Sequence, residues 1–179
     1  GKLFLEAKFV PDEVTATERP DLHEELVANI QVKGILSVVA NSAKLTRSVE
    51  WTSKQDPLMA VTLMPCKNDK IQKATTKPVK NGGKVFEWTS EHDNLMKLYY
   101  PGKASVAAPP ELEIRILDDE WSRSDRLIGA ARVNLLEDLA EMIKNPGAHL
   151  TKEVELRYIK NGKEVSCGTC TIQLSFEPG

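Results

Sequence analysis

The apolar residues of this chain recur mostly at every second position, in short runs cut by turn signals. That spacing makes half-buried strands, so a chain composed of such runs folds as layered sheet. Leu3, Leu5, Ala7 and Phe9 alternate and stop at Pro11-Asp12. Residues 11–33 are polar and irregular, with Asp21 placed to cap a short helix over Leu22–Val27. The next runs are Ile35–Ala40, followed by a polar stretch from Asn41 to Gln55, and then Leu58–Leu63. Ile71–Val79 is a lysine-interrupted strand candidate closed by Asn81-Gly82-Gly83, and aromatic-bearing strands follow at Val85–Trp88 and Leu95–Tyr100. Leu112, Ile114 and Ile116 alternate into the acidic stretch Asp118-Asp119-Glu120, and Ala130–Val133 is a further strand. Leu135, Leu136, Leu139, Met142 and Ile143 have helical spacing, ended by Asn145-Pro146-Gly147. Strands around Val154–Tyr158 and Thr169–Phe176 flank the Asn161-Gly162 turn. Eight or nine short strands with one helical insert predict an antiparallel sandwich with Greek-key connections.

A chain of 179 residues is long enough to bury a single core without a disulfide or metal staple. The net charge of −2 excludes a nucleic-acid binder that works by global positive charge. No apolar run reaches the length of a membrane span, and the start does not read as a signal peptide. Three cysteines make no disulfide framework, and the expected setting is the cytoplasm.

Two acidic loops lie far apart in sequence, Glu50 and Asp56 in the first, Asp118, Glu120 and Asp125 in the second. Loops of a sandwich gather at its two ends, so these carboxylates either converge at one rim and hold a hard cation such as Ca2+ or remain solvated surface acids. Trp51 sits beside Glu50 and Trp121 beside Glu120. Indoles at loop tips suit the membrane–water boundary, unless they fold back as a small plug on the sandwich rim. Trp88 is assigned to the core. Lys67, Lys70, Lys73, Lys77, Lys80 and Lys84 share eighteen residues with one acid, Asp69. Lys70, Lys73, Lys77 and Lys80 are the candidates for anionic lipid; the alternative is that strand-edge lysines guard against aggregation. Cys167 and Cys170 are three apart on a strand and are expected on opposite faces, which argues against a metal or redox pair. With no catalytic motif and three scattered histidines, the chain is not expected to be an enzyme.

Several ordered motifs resemble the C2 domain over about residues 34–178. They are Gly34-Ile35-Leu36, Gln55-Asp56-Pro57, the run from Leu112 through Glu120, Ser124 through Gly129, and the Gly168–Pro178 ending. Trp88 stands where the family has its "W-N-E" tryptophan. The resemblance implies an all-β, eight-stranded antiparallel Greek-key sandwich with a short helix before the penultimate strand. It also implies binding to phospholipid membranes, in many members through calcium, and hence a peripheral membrane location. The family's five loop aspartates fall here on Glu50, Asp56, Asp118, Glu120 and Arg126, with Asp125 one step off register. The arginine brings positive charge toward a cation site. The lysine-rich strand implies phosphoinositide binding, although the companion positions are Leu58, Ala60 and Thr62. Residues 1–11 resemble the family's last strand, either an extra strand of this fold or the tail of a preceding domain. The expected organisation is therefore a strand and irregular extension over 1–33 and the C2-like domain over 34–179. The expected function is a membrane-targeting module that binds anionic phospholipid. The rival is a calcium-independent protein-interaction module with a degenerate metal site, whose partner is another protein or a neighbouring C2 domain.

Overall fold

A computed structural model describes residues 20–65, 69–105, 107–120 and 124–179. The N-terminal strand candidate at 3–9 lies outside them. Nine strands carry the alternation read from the sequence: β1 Gly34–Leu45, β2 Pro57–Met64, β3 Lys73–Thr75, β4 Val85–Glu87, β5 Leu95–Tyr100, β6 Glu111–Asp118, β7 Arg126–Asn134, β8 Leu150–Lys160 and β9 Lys163–Pro178. All pairings are antiparallel, in the order β3-β2-β6-β7-β8-β9-β1-β4, and β5 also pairs β1. β5 pairs residues 34–39 of β1 and β4 pairs residues 42–44, so nine segments fill eight strand positions. The path curls into two layers, β3-β2-β6-β7 and β8-β9-β1 with β4 and β5. Only one residue pair among the described residues, Ala130↔Arg157, joins the layers at the β7/β8 seam.

The core lies between the layers. Leu36, Val38, Met59, Val61, Leu112, Ile114, Ile116, Ile172 and Leu174 are buried at alternate positions of their strands. Phe86 and Trp88 meet edge to face at 4.9 Å, with Trp88 buried as expected. Helix α3, Leu136–Lys144, closes the core with Leu136, Leu139, Ala140 and Met142. Asn134 Oδ1 accepts from the Leu136 backbone N–H at 2.9 Å and so satisfies one free donor at the helix start. Helix α1, Pro20–Asn29, is longer than expected; Ile30 after it is buried, and its carbonyl accepts from the Tyr100 hydroxyl at 2.9 Å. Among the described residues no helix is long and apolar enough to cross a membrane.

Three expectations change, each for a local backbone reason. The polar stretch from Asn41 is in part strand. A register shift between Ala40 and Ser42 resets the alternation, so Ala43 and Leu45 follow Leu36, Val38 and Ala40 into the core. The 71–79 strand is mostly absent. A one-turn helix α2, Asp69–Gln72, precedes the three-residue β3, and Pro78 lacks the N–H a longer ladder needs. Cys167 and Cys170 do not face opposite ways, because both are buried. The β8–β9 register shifts at this point, with Leu156 opposite Gly168 and Arg157 opposite Ser166, which turns Cys167 inward. Gly168 has φ +120, and a side chain there would collide with the Lys44 carbonyl. Burial pushes the Cys170 thiol up to about 12 and raises Cys167 as well, so both remain protonated and poor as metal or redox groups.

Candidate functional site

Loops 46–56 and 76–84 and the described residues 119–120 and 124–125 meet at the end of the sandwich where β6 stops and β7 begins. The buried Gln55 stitches the first two. Its amide donates to the Arg47 carbonyl at 3.1 Å and the Gly83 carbonyl at 2.9 Å, and its Oε1 accepts from the Val49 N–H at 3.1 Å. The Asp56 N–H donates to Asp118 Oδ1 at 2.7 Å, and the Asp119 N–H donates to the Asp56 carbonyl at 3.0 Å, which joins the first loop to the third. Arg47 donates to the carbonyls of Leu127 and Ile128 at 2.8 and 3.0 Å and lies 4.1 Å over the Tyr158 ring. It bridges the start of β7 to Tyr158 of β8.

Of the five predicted metal ligands, Glu50, Asp118 and Glu120 converge, with one ligand oxygen from each within 4.8 Å of the others. The guanidinium of Arg126 sits among them. Its Nη2 lies 2.7 Å from Glu50 Oε2 and 3.4 Å from Asp118 Oδ2, and its Nε lies 3.1 Å from Glu120 Oε1, out of line for a hydrogen bond. Asp118 is 1 % exposed. Burial raises its carboxyl above the usual aspartate range, and the neighbouring Glu50 and Glu120 raise it further, against the Asp56 N–H and Arg126.

Asp56 and Asp125 do not join the cluster. Asp56 Oδ1 accepts from the Asn81 N–H at 2.7 Å, and Asp56 Oδ2 lies 3.7 Å from Lys80 Nζ. Asp125 Oδ1 accepts from the Glu120 N–H at 3.0 Å and so closes its own loop. Calcium needs six to eight oxygens at about 2.3–2.6 Å. Here three carboxylates already clamp a guanidinium and the remaining two face elsewhere, so this donor set does not fit the ion.

Trp51 stands at the loop tip, 98 % exposed; it does not plug the rim. Trp121 lies outside the described residues. Lys73, Lys77 and Lys80 do not form one row. Lys73 lies on β3 opposite Thr62, Lys77 pairs with Asp93 at 3.5 Å, and Lys80 reaches Asp119 at 3.3 Å in the rim. Nothing is described of the Lys70 side chain. Arg47, Gln55 and Asp119 are rim residues that the sequence did not mark as site residues, although Gln55 and Asp119 lie within motifs it did mark. Gln55 carried a usable signal, a polar residue directly before the Asp56-Pro57 strand entry, whereas Arg47 had none.

No family model and no curated protein matches the chain. Solved structures do. A C2 domain of plant extended synaptotagmin 1 matches at 19% identity over 82% of this chain and 95% of that one, with a TM-score of 0.58. A C2 domain-containing protein from a putative elicitor-responsive gene matches at 22% identity over 83% and 91%, with a TM-score of 0.53. Human GIVD cytosolic phospholipase A2 matches at 17% identity over 83% of this chain and 17% of that one, with a TM-score of 0.58. At these identities the similarity shows the fold, and the chain folds as a C2 domain.

Proposed function

We propose that this chain is a peripheral membrane module that docks on anionic phospholipid through its loop rim and needs no calcium to do so. The reading is carried by one observation: Trp51 is almost fully exposed while Glu50 beside it is tied back by Arg126. A large indole held in water is unfavourable, and the membrane interface relieves that cost by taking the ring among acyl chains and the N–H among headgroups. Exposed Lys54 and Lys84 flank the rim and make no ion pair among the described residues. Lys77 and Lys80 are paired with acids, so the reading assigns a response to bulk negative charge and no single phosphoinositide headgroup. In the family's calcium-binding members the ion would offset the rim's negative charge; here the guanidinium of Arg126 offsets part of it. The module has no catalytic role in this reading, and the cytoplasm is its setting.

Co-sedimentation with phosphatidylcholine vesicles, with and without phosphatidylserine, tests this in chelator. The expected result is binding that needs phosphatidylserine and is lost in Trp51→Ser. No binding in chelator, restored by calcium, would overturn it. A second reading rests on the β7/β8 seam. A single described residue pair joins the two strands there, over a cleft of about 670 Å3 lined by Val133, Val154 and Tyr158. Unpaired strand edges accept an extended segment of another protein. A chain that binds no vesicle of any composition would favour that reading.

A further inference from the structure

We infer that the β8–β9 hairpin is a second membrane prong, which supplies positive charge beside the acidic rim; this inference rests on the membrane reading of the rim. Six acids line that rim: Glu50, Asp56, Asp118, Asp119, Glu120 and Asp125. The cations seated against them among the described residues are Arg126 and Lys80. An anionic surface is therefore attracted by charge placed beside the rim.

The hairpin stands at the same end. The β1–β9 ladder stops at Leu45↔Gly168, but β8 and β9 continue through Arg157↔Ser166, Tyr158↔Val165, Ile159↔Glu164 and Lys160↔Lys163. Past Arg157 no strand among the described residues pairs the outer edge of β8 either. These four pairs, at about 3.4 Å per residue, carry the tip on the order of 13 Å past the end of the β1–β9 ladder, level with the start of β7 at Arg126. Arg47, which opens the Trp51 loop, lies over Tyr158 and fixes the base of the hairpin to that loop.

The tip chemistry suits an anionic interface. Asn161 and Gly162 have φ 51 and 77, the two left-handed residues of a tight type I′ turn. The pair flanking the turn is Lys160 opposite Lys163, both exposed and neither in an ion pair among the described residues. Like charges placed directly across a ladder repel, so the arrangement weakens the isolated hairpin and is relieved by an external anion. Ile159 beside them is 65 % exposed. Glu164 opposes it, and Arg157 is paired with Glu155 at 2.7 Å, which leaves Lys160 and Lys163 as the cations of the tip without an ion pair among the described residues. An exposed apolar side chain next to such lysines is the composition that partitions to the headgroup boundary.

The test is co-sedimentation of the whole chain with vesicles of phosphatidylcholine and phosphatidylserine. Lys160→Glu with Lys163→Glu is expected to weaken binding about 10- to 30-fold at low salt, and the difference is expected to shrink at high salt. The milder Lys160→Gln with Lys163→Gln should weaken it by a smaller factor, and Ile159→Ser about threefold with little salt dependence. All these positions are exposed, so thermal unfolding should stay unchanged. If the lysine variants bind like the unaltered chain while Trp51→Ser does not, the hairpin is no prong and the rim reading stands. If the unaltered chain binds no vesicle, both fall.

Discussion

The acidic cage around Arg126 and the lysine tip of the β8–β9 hairpin lie at one end of the sandwich in opposite electrostatic states. In the cage, Glu50, Asp118 and Glu120 close on a guanidinium supplied by the chain itself, and Asp118 is out of contact with water. At the hairpin, Lys160 and Lys163 face each other in solvent with no counter-charge among the described residues. The cage holds more charge, but each of its carboxylates already contacts the guanidinium and is largely buried. The hairpin tip holds less, and Lys160 and Lys163 make no ion pair among the described residues. The number of clustered charges therefore says little about where a ligand binds; the charges left without an internal partner say more.

Emptying the cage should give the largest effect on stability. Arg126→Ala leaves the buried Asp118 without its counter-charge, at a cost of about 1–3 kcal/mol in unfolding free energy, read by urea denaturation. The variant should also gain a rise in Tm on adding calcium, because three carboxylates then surround open space. An unchanged stability and no calcium response would show that the cage does not depend on Arg126. At the rim tip, Trp51→Ser should weaken vesicle binding about tenfold and leave Tm unchanged, since the ring is 98 % exposed. Gly162→Ala separates hairpin shape from hairpin charge. An added Cβ meets nothing within 4 Å, but φ of +77 strains it, at about 1 kcal/mol of stability. Vesicle binding should fall by a few-fold while the lysines remain.

The smallest effect concerns pH. The carboxyl of Asp118 is raised in the folded protein, so the native state holds its proton more tightly than the unfolded chain. The contribution is present at low pH and is lost as pH rises from the ordinary aspartate range through the raised value. Asp118→Asn keeps an acceptor for the Asp56 N–H and should flatten that slope in Tm measured against pH. An identical slope in both proteins would assign it to other groups.

Most of the sheet was legible because β2, β6 and the ends of β1 and β9 keep an unbroken period of two. Where a backbone irregularity resets the phase, the pattern misleads. The bulge after Ala40 hid the second half of β1, and the bulge at Cys167 turned an expected opposite-face pair into two core residues. At the rim the sequence pointed to the departure that matters, Arg126 among acids. It could not show that Asp56 turns to Asn81 and Lys80, because those bonds depend on how loop 76–84 folds back. Lys80 read as part of a lipid-binding run for the same reason. The hairpin lysines drew no notice, since a two-residue turn flanked by lysines is ordinary in sequence and only the ladder lengths reveal that it runs past the end of the β1–β9 ladder.

Calorimetric titration of calcium into the intact chain tests the central claim most directly. A rim that carries its own cation predicts no saturable heat for the unaltered protein and a saturable isotherm for Arg126→Ala. Saturable calcium binding by the unaltered protein, lost in Asp118→Asn, would show that the ion displaces the guanidinium and would contradict it.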